Sequence, residues 1–281
     1  MKISDQTKRQ LFKKLCISSV LMVTLSVFVS CTTYSNIRET TTIVEKEKGT
    51  GVVIEKGSLI EGENKEIYYP QIKGLGDVNR EECVNDIIKE EATKRITSLT
   101  ENGTFHREEI CLYLDYEINL NNSKILSIFY DGRYGVIEGE RLFPTFMGST
   151  INIQNGETVY LKEIVTDFGK LYDMLANNEF ESLGIWDGAK VGEDFSEVIY
   201  GDYYSKEKFI AEMKDEKKYG EWIPAIHNIY TRVDWYLMED KMAIIVSPSS
   251  SYYYSIYTIT YSKILDIIDS DFYNEYLNVE N

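Results

Sequence analysis

CLYLDYEINLNNSKILSIFYDGRYGVIEGERLFPTFMGSTINIQNGETVYLKEIV, residues 111–165, is the stretch whose reading decides the fold. Its first ten residues alternate. Leu112, Leu114, Tyr116, Ile118 and Leu120 fall on one side, and Cys111, Tyr113, Asp115, Glu117 and Asn119 on the other. Successive strand residues point to opposite faces, so this predicts a strand with one face buried. Asn121-Asn122 makes a turn, and residues 125–130 return as a more apolar strand, which predicts a hairpin. Residues 131–139 read as irregular and glycine-rich, and residues 145–153 as a third strand. Asn155-Gly156 signals a type I′ hairpin turn, because that turn needs residues that tolerate positive φ. Residues 159–165 then pass into a helical turn.

Before this stretch, residues 79–99 predict a helix. Asp77 or Asn79 is placed to cap it, and Glu81 and Glu82 suit its positive end. Val84, Ile87, Ile88, Ala92, Ile96 and Leu99 recur at spacings of three and four, which gives one buried stripe. Residues 52–54 and 66–69 are candidate strands, with Pro70 closing the second. After residue 165 come helices over 168–177 and 206–218 and a strand region within 223–236. A turn at Glu239-Asp240, strands over 242–246 and 256–261, and a helix over 262–268 follow. The expected class is α+β: an antiparallel sheet of hairpins packed against a long helix, with a second helix-plus-hairpin part at the C-terminus. The parts fall at residues 1–30 (signal peptide), 31–48 (polar tether), 49–178 (N-terminal α+β part) and 179–281 (C-terminal part packed on the same body).

The leader has a basic segment ending at Lys14, an apolar run over 15–29, and then Ser30-Cys31. The run has about 15 residues, short of the roughly 20 that span a bilayer, so an export signal fits better than a membrane span. Val27-Phe28-Val29-Ser30-Cys31 resembles a lipoprotein signal cleavage box, with Phe28 where Leu is usual. The resemblance implies that Cys31 carries diacylglycerol and becomes the N-terminus. That would place the protein at the cell membrane, lipid-anchored on the extracytoplasmic face. The other reading is an uncleaved signal anchor with Cys31 merely adjacent.

The 281-residue chain carries a net charge of −16, and five of its basic residues lie within the first 14 positions. An acidic body argues against nucleic acid as a partner, because phosphate contacts need clustered Lys and Arg. It suits solubility or a cationic partner reached by electrostatic steering. The 22 tyrosines suit strand packing and also binding surfaces. Tyr252, Tyr253 and Tyr254, with Trp222 and Trp235, are candidates for an aromatic platform that takes a glycan or peptide; the alternative is core packing of the last strands.

The chain offers few catalytic signals. His106 and His227 stand far apart with no ligand cluster, so no metal and no cofactor is expected. Ser205-Lys206-Glu207-Lys208 matches Ser-x-x-Lys but lacks its companion motifs and reads as a helix cap. Asp115 and Glu117 share a strand face and are the one carboxylate pair suited to acid–base work; ordinary solvation of a half-exposed sheet is the alternative. Cys83 and Cys111 are the only two cysteines of the body. In an exported protein they are candidates for a disulfide closing a loop of about 28 residues and adding about 3 kcal/mol, against two buried free thiols.

Three segments carry a resemblance: residues 67–75 (Ile67 to Leu75) with the helix that follows, residues 151–164, and residues 233–261 around Trp235, Ile244 and Tyr257. They resemble the extracytoplasmic domains of unknown function in RsiV-type anti-sigma factors, which also precede the catalytic domain of some peptidoglycan deacetylases. The resemblance covers most of residues 65–268. It implies a non-enzymatic role, binding an envelope ligand such as lysozyme or a cell-wall glycan. A glycan hydrolase using Asp115 and Glu117 is the alternative. The family's Gly-Gly-Ala-His segment is replaced by residues 138–144 (Glu138 to Pro144), so no role resting on that imidazole carries over. The part before the apolar run is too short for a folded sigma-binding domain.

Overall fold

A computed structural model describes residues 52–61, 64–100, 106–137, 142–183, 206–214, 231–248 and 255–278, all within one compact unit, Glu45–Asn281. The fold is α+β. A six-stranded sheet is ordered β1 (Val53–Glu61), β2 (Lys65–Lys73), β3 (Ile110–Asn121), β4 (Ile125–Val136), β5 (Leu142–Asn152) and β6 (Glu157–Thr158). Helix α1 (Val78–Thr100) joins β2 to β3. The crossover makes these two strands parallel, over Lys65–Ile67 against Leu112–Leu114, where the sequence predicted only antiparallel hairpins.

Beyond Ile67 the pair separates. The Leu112 amide donates to the Asn64 carbonyl at 2.9 Å, so alternate β2 residues, Pro70 among them, turn their peptide groups toward β3. Pro70 therefore sits inside β2, paired with Lys56, without breaking a ladder bond. It does not close the strand. Ile72, two residues on, is fully buried with its peptide groups on the same unpaired side. Asn85 of α1 replaces the missing strand: its Oδ1 accepts from the Ile72 amide at 2.7 Å, and its Nδ2 donates to the Ile72 carbonyl at 2.9 Å.

Asp77 caps α1, its Oδ1 accepting from the Arg80 amide at 3.2 Å. Val84, Ile88 and Ala92 form the buried stripe against Ile67, Leu112, Leu114, Leu126, Ile128 and Met147. β4 runs six residues past the sequence reading, because Gly132 and Gly135 serve the sheet instead of ending it. A Cβ at Gly132 would stand 2.1 Å from the Tyr113 carbonyl oxygen. The turn after β5 is not type I′. Only Gly156 has positive φ (71°), and its amide donates to the Asn152 carbonyl at 2.9 Å.

A second, four-stranded antiparallel sheet has the order β7 (Glu181–Leu183), β10 (Ser255–Thr260), β9 (Lys241–Pro248), β8 (Thr231–Leu237). One of its faces meets the first sheet through Phe129, Phe146, Tyr236, Ala243, Ile245 and Ile256. β8 crosses β5 so closely that a Cβ at Gly148 would lie 1.8 Å from the Trp235 carbonyl oxygen. The Leu237 amide donates to Ser127 Oγ at 2.8 Å, tying the sheets together. The other face of the second sheet packs on α2 (Leu161–Ile164), α3 (Phe168–Ala176), α4 (Lys206–Lys214) and α5 (Tyr261–Ile264). A last helical turn, α6 (Ser270–Phe272), runs into a wide turn over Tyr273–Leu277. Among the described residues, no helix is long and apolar enough to cross a membrane.

Candidate functional site

The seam where the end of β3 meets the β8–β9 turn forms a cleft of about 230 Å³, lined by Ile118, Asn119, Asn121, Met238, Glu239 and Asp240. Local sequence explains its two sides. β3 shifts register between Ile118 and Leu120, which sends Leu120 into the second core and leaves Asn119 and Asn121 at the rim. Across from them Glu239-Asp240 forms the tip of a tight hairpin, closed by the Met238 amide donating to the Lys241 carbonyl at 2.8 Å. The hairpin is buttressed from behind by Tyr261, whose hydroxyl donates to the Met238 carbonyl at 2.7 Å and whose amide donates to the Asp240 carbonyl at 3.0 Å. Burial raises the Tyr261 hydroxyl pKa far above that of a free tyrosine, so it stays a donor at any ordinary pH.

The cleft presents acceptors. Glu239 and Asp240 are exposed, and neither carboxylate has a hydrogen bond or ion pair to another described residue. Asn121 Oδ1 is closed off from solvent and has no hydrogen-bond partner among the described residues. The Asn119 side-chain amide donates back to the Glu117 carbonyl at 3.4 Å. Next to this rim, Glu117 lies near Tyr236, whose hydroxyl is pushed up to about 12 by burial first and by the Glu117 charge second.

The predicted carboxylate pair stands on β3 as expected, Asp115 and Glu117 two residues apart on the face away from α1. Asp115 is ion-paired to Lys56 at 3.2 Å. Lys56 also stacks over the Tyr68 ring at 3.6 Å. Asp115 faces Asp131 across the β3–β4 ladder. Neither Asp115 nor Glu117 lines the cleft. His106 is exposed, and among the described residues no group of three or more His, Cys, Asp or Glu side chains is placed to hold a metal ion.

Two candidates are corrected. Trp235 is 7% exposed and belongs to the core between the second sheet and α3–α4, so it is not part of an exposed platform. The residue alternates into the inner face of β8, which is buried from Val233 to Leu237. Cys83 and Cys111 are free thiols, and the topology keeps them apart. Cys83 Sγ lies 4.0 Å from the Gly156 carbonyl, at the end of the sheet where β3 finishes. Cys111 opens β3. Ten residues of strand, about 33 Å, separate those two ends, far beyond the roughly 7 Å that a disulfide tolerates between Cα atoms. Burial raises the Cys111 thiol pKa, with Lys65 pulling the other way. Cys31, Trp222, Tyr252, Tyr253, Tyr254 and His227 lie outside the described residues.

Sequence reasoning missed Asn85, the two rim asparagines and the cleft itself. Glu239-Asp240 was visible only as a turn; no local signal joins it to residues 118 positions earlier.

No family model matches the chain, and no curated protein matches it. Solved structures do. A crystal structure of a DUF3298 family member from Bacteroides fragilis is 12% identical, covers 83% of this chain and 100% of its own, and superposes with a TM-score of 0.47. A DUF3298 family protein from Pseudomonas aeruginosa is 10% identical, covering 79% of this chain and 96% of its own, with a TM-score of 0.41. Structural neighbours of this chain are thus DUF3298 family proteins, a family designated by number and not by activity.

Proposed function

We propose that this protein is an extracytoplasmic lipoprotein, anchored to the cell membrane through Cys31, that binds a cationic envelope-associated protein without catalysing a reaction. The observation that carries the binding role is the acidic hairpin tip at the sheet seam, where the Glu239 and Asp240 carboxylates have no ion pair or hydrogen bond among the described residues. In a chain of net charge −16 such a rim steers a positively charged partner and repels an acidic one. The resemblance to RsiV-type extracytoplasmic domains supports the same reading and names lysozyme as the partner to try first. The anchor rests on the basic–apolar–Ser-Cys order of residues 1–31, with two acyl chains giving stable attachment.

The hydrolase reading is less well supported. Asp115 is engaged by Lys56, and the Asp115–Glu117 pair lies on a strand face outside the cleft. The test is a pull-down of the full protein in detergent with lysozyme and, separately, with peptidoglycan. Salt-sensitive retention of lysozyme is expected. Retention of peptidoglycan alone overturns the choice of partner, and release of reducing ends from peptidoglycan overturns the non-catalytic role.

A further inference from the structure

Among the described residues the two sheets have four edges, and three of them are blunted. β6 has two residues and β7 has three, too short to template another strand. β8 is crossed by the first sheet, and Ser127 Oγ takes its Leu237 amide. Its Asp234 is buried, an inward charge of the kind that guards an edge. β1 has none of these devices. It runs nine residues without proline, and its register with β2 is unbroken from Val53–Lys73 to Glu61–Lys65, so no bulge turns it away. Its one lysine is drawn off the edge: Lys56 lies over the Tyr68 ring of β2 and pairs with Asp115 of β3.

The open edge has a definite hydrogen-bonding pattern. Asn64 bonds the Leu112 amide of β3, and Pro70, which has no amide to give, is paired with Lys56. Lys65, Ile67, Tyr69, Gln71 and Lys73 therefore turn their peptide groups toward β1, where Glu61, Leu59, Gly57, Glu55 and Val53 meet them. The amides and carbonyls of Ile54, Lys56, Ser58 and Ile60 are left pointing outward. None of them bonds another described residue. Ile60 is 62% exposed and Val53 47%, so the edge carries apolar side chains as well as free peptide groups.

We infer that β1 pairs antiparallel with β1 of a second copy of this chain, joining two six-stranded sheets edge to edge about a two-fold axis at Gly57. The side chains select that occupant and that register. With Gly57 opposite Gly57, all nine residues pair and every outward amide meets an outward carbonyl. Ile54 then faces Ile60 of the second copy, Glu55 faces Leu59, Lys56 faces Ser58 and Val53 faces Glu61, so no like charges stand opposite. A slip of two residues one way sets Lys56 against Lys56, and the other way Glu55 against Glu61. A slip of one turns bonding groups away from each other. The edge is thus complementary to itself, as a two-fold interface requires. The claim does not depend on the cationic partner, and the Glu239–Asp240 hairpin has no part in it.

The experiment is sedimentation equilibrium of the full protein in density-matched detergent, with micelles in excess, together with residue-resolved amide hydrogen exchange over about a hundredfold range of protein concentration. A monomer–dimer equilibrium is expected. Exchange at the Ile54, Lys56, Ser58 and Ile60 amides should slow about tenfold or more as the dimer forms. The Glu55, Gly57 and Leu59 amides, already bonded to β2, should be slow at every concentration. Two variants blunt the edge from outside. Ile60→Lys places a charge opposite Ile54, and Ser58→Pro removes an outward amide without touching the β1–β2 ladder. Each should raise the dimer dissociation constant about tenfold or more and leave urea unfolding of the monomer unchanged. If either variant folds poorly, the concentration dependence of the parent's four amides decides alone. A monomer at all concentrations, or a dimer whose four outward amides exchange as fast as the monomer's, overturns the inference. Slow exchange of those four at every dilution also overturns it, because a segment of the same chain then covers the edge.

Discussion

Asn85→Ala removes one side chain and leaves two peptide groups of a fully buried residue unpaired. Ile72 has no exposed surface, its amide donates to Asn85 Oδ1 at 2.7 Å, and its carbonyl accepts from Asn85 Nδ2 at 2.9 Å. Each buried polar group left without a partner costs about 1–3 kcal/mol, which gives about 2–6 kcal/mol for the pair. Alanine is the better helix former by about 0.5 kcal/mol, so the net expected loss is about 2–5 kcal/mol. In a domain of this size that lowers Tm by about 5–15 °C. The assay is urea and thermal unfolding followed by circular dichroism, with hydrogen exchange at the Ile72 amide as the local readout. Asn85→Asp sharpens the test. At neutral pH its carboxylate keeps the acceptor and loses the donor, so it should fall between the parent and Asn85→Ala. Protonation of the new carboxyl near pH 4 restores a donor and should narrow the gap. A loss below about 1 kcal/mol for Asn85→Ala, with the Ile72 amide still protected, would refute the view that Asn85 stands in for a strand where β2 leaves β3.

Other outcomes follow from the same geometry. Gly148→Ala drives a Cβ into the Trp235 carbonyl, a backbone group of the facing sheet, and should cost about 3 kcal/mol or more in urea unfolding. Alkaline unfolding should steepen above pH 10. Tyr236 titrates near 12 when folded and near 10 when unfolded, so its contribution is whole below pH 10 and is lost as pH rises through 12. That is about 2–3 kcal/mol in all, and Tyr236→Phe should flatten the pH–stability curve by about one proton over that window. A thiol reagent applied without reductant should modify Cys83 in the native protein and Cys111 only after denaturation, since one is exposed and the other buried; protection of both in denaturant would restore the disulfide. Cys31→Ala should abolish metabolic labelling with a radioactive fatty acid, and persistent labelling would remove the anchor.

Local pattern carried the parts of the fold that local pattern can specify. The alternation from Cys111 onward defines β3, and the spacing of Val84, Ile88 and Ala92 defines the buried side of α1. The parallel β2–β3 pair was not legible, because it depends on where a helix of 23 residues returns the chain. Gly132 and Gly135 read as breakers, yet one permits close approach between strands and both lie inside β4. Pro70 read as a stop because sequence does not reveal that β3 has already diverged at that point. Trp235 stayed open between a platform aromatic and core packing because nothing nearby announces a second sheet whose two faces are both covered; the core alternative holds. The cleft was the least legible feature. It is assembled from a register shift in one sheet and a hairpin tip in the other, and each alone is ordinary.

The central claim is that the acidic seam binds a cationic protein. It is tested most directly by calorimetric titration of the full protein in detergent with lysozyme at about 20 mM and about 150 mM salt, where the Debye length falls from above 20 Å to about 8 Å. The account predicts saturable binding at a one-to-one ratio, weaker at the higher salt and weakened again by Glu239→Gln/Asp240→Asn. No heat of binding at either salt concentration would contradict it.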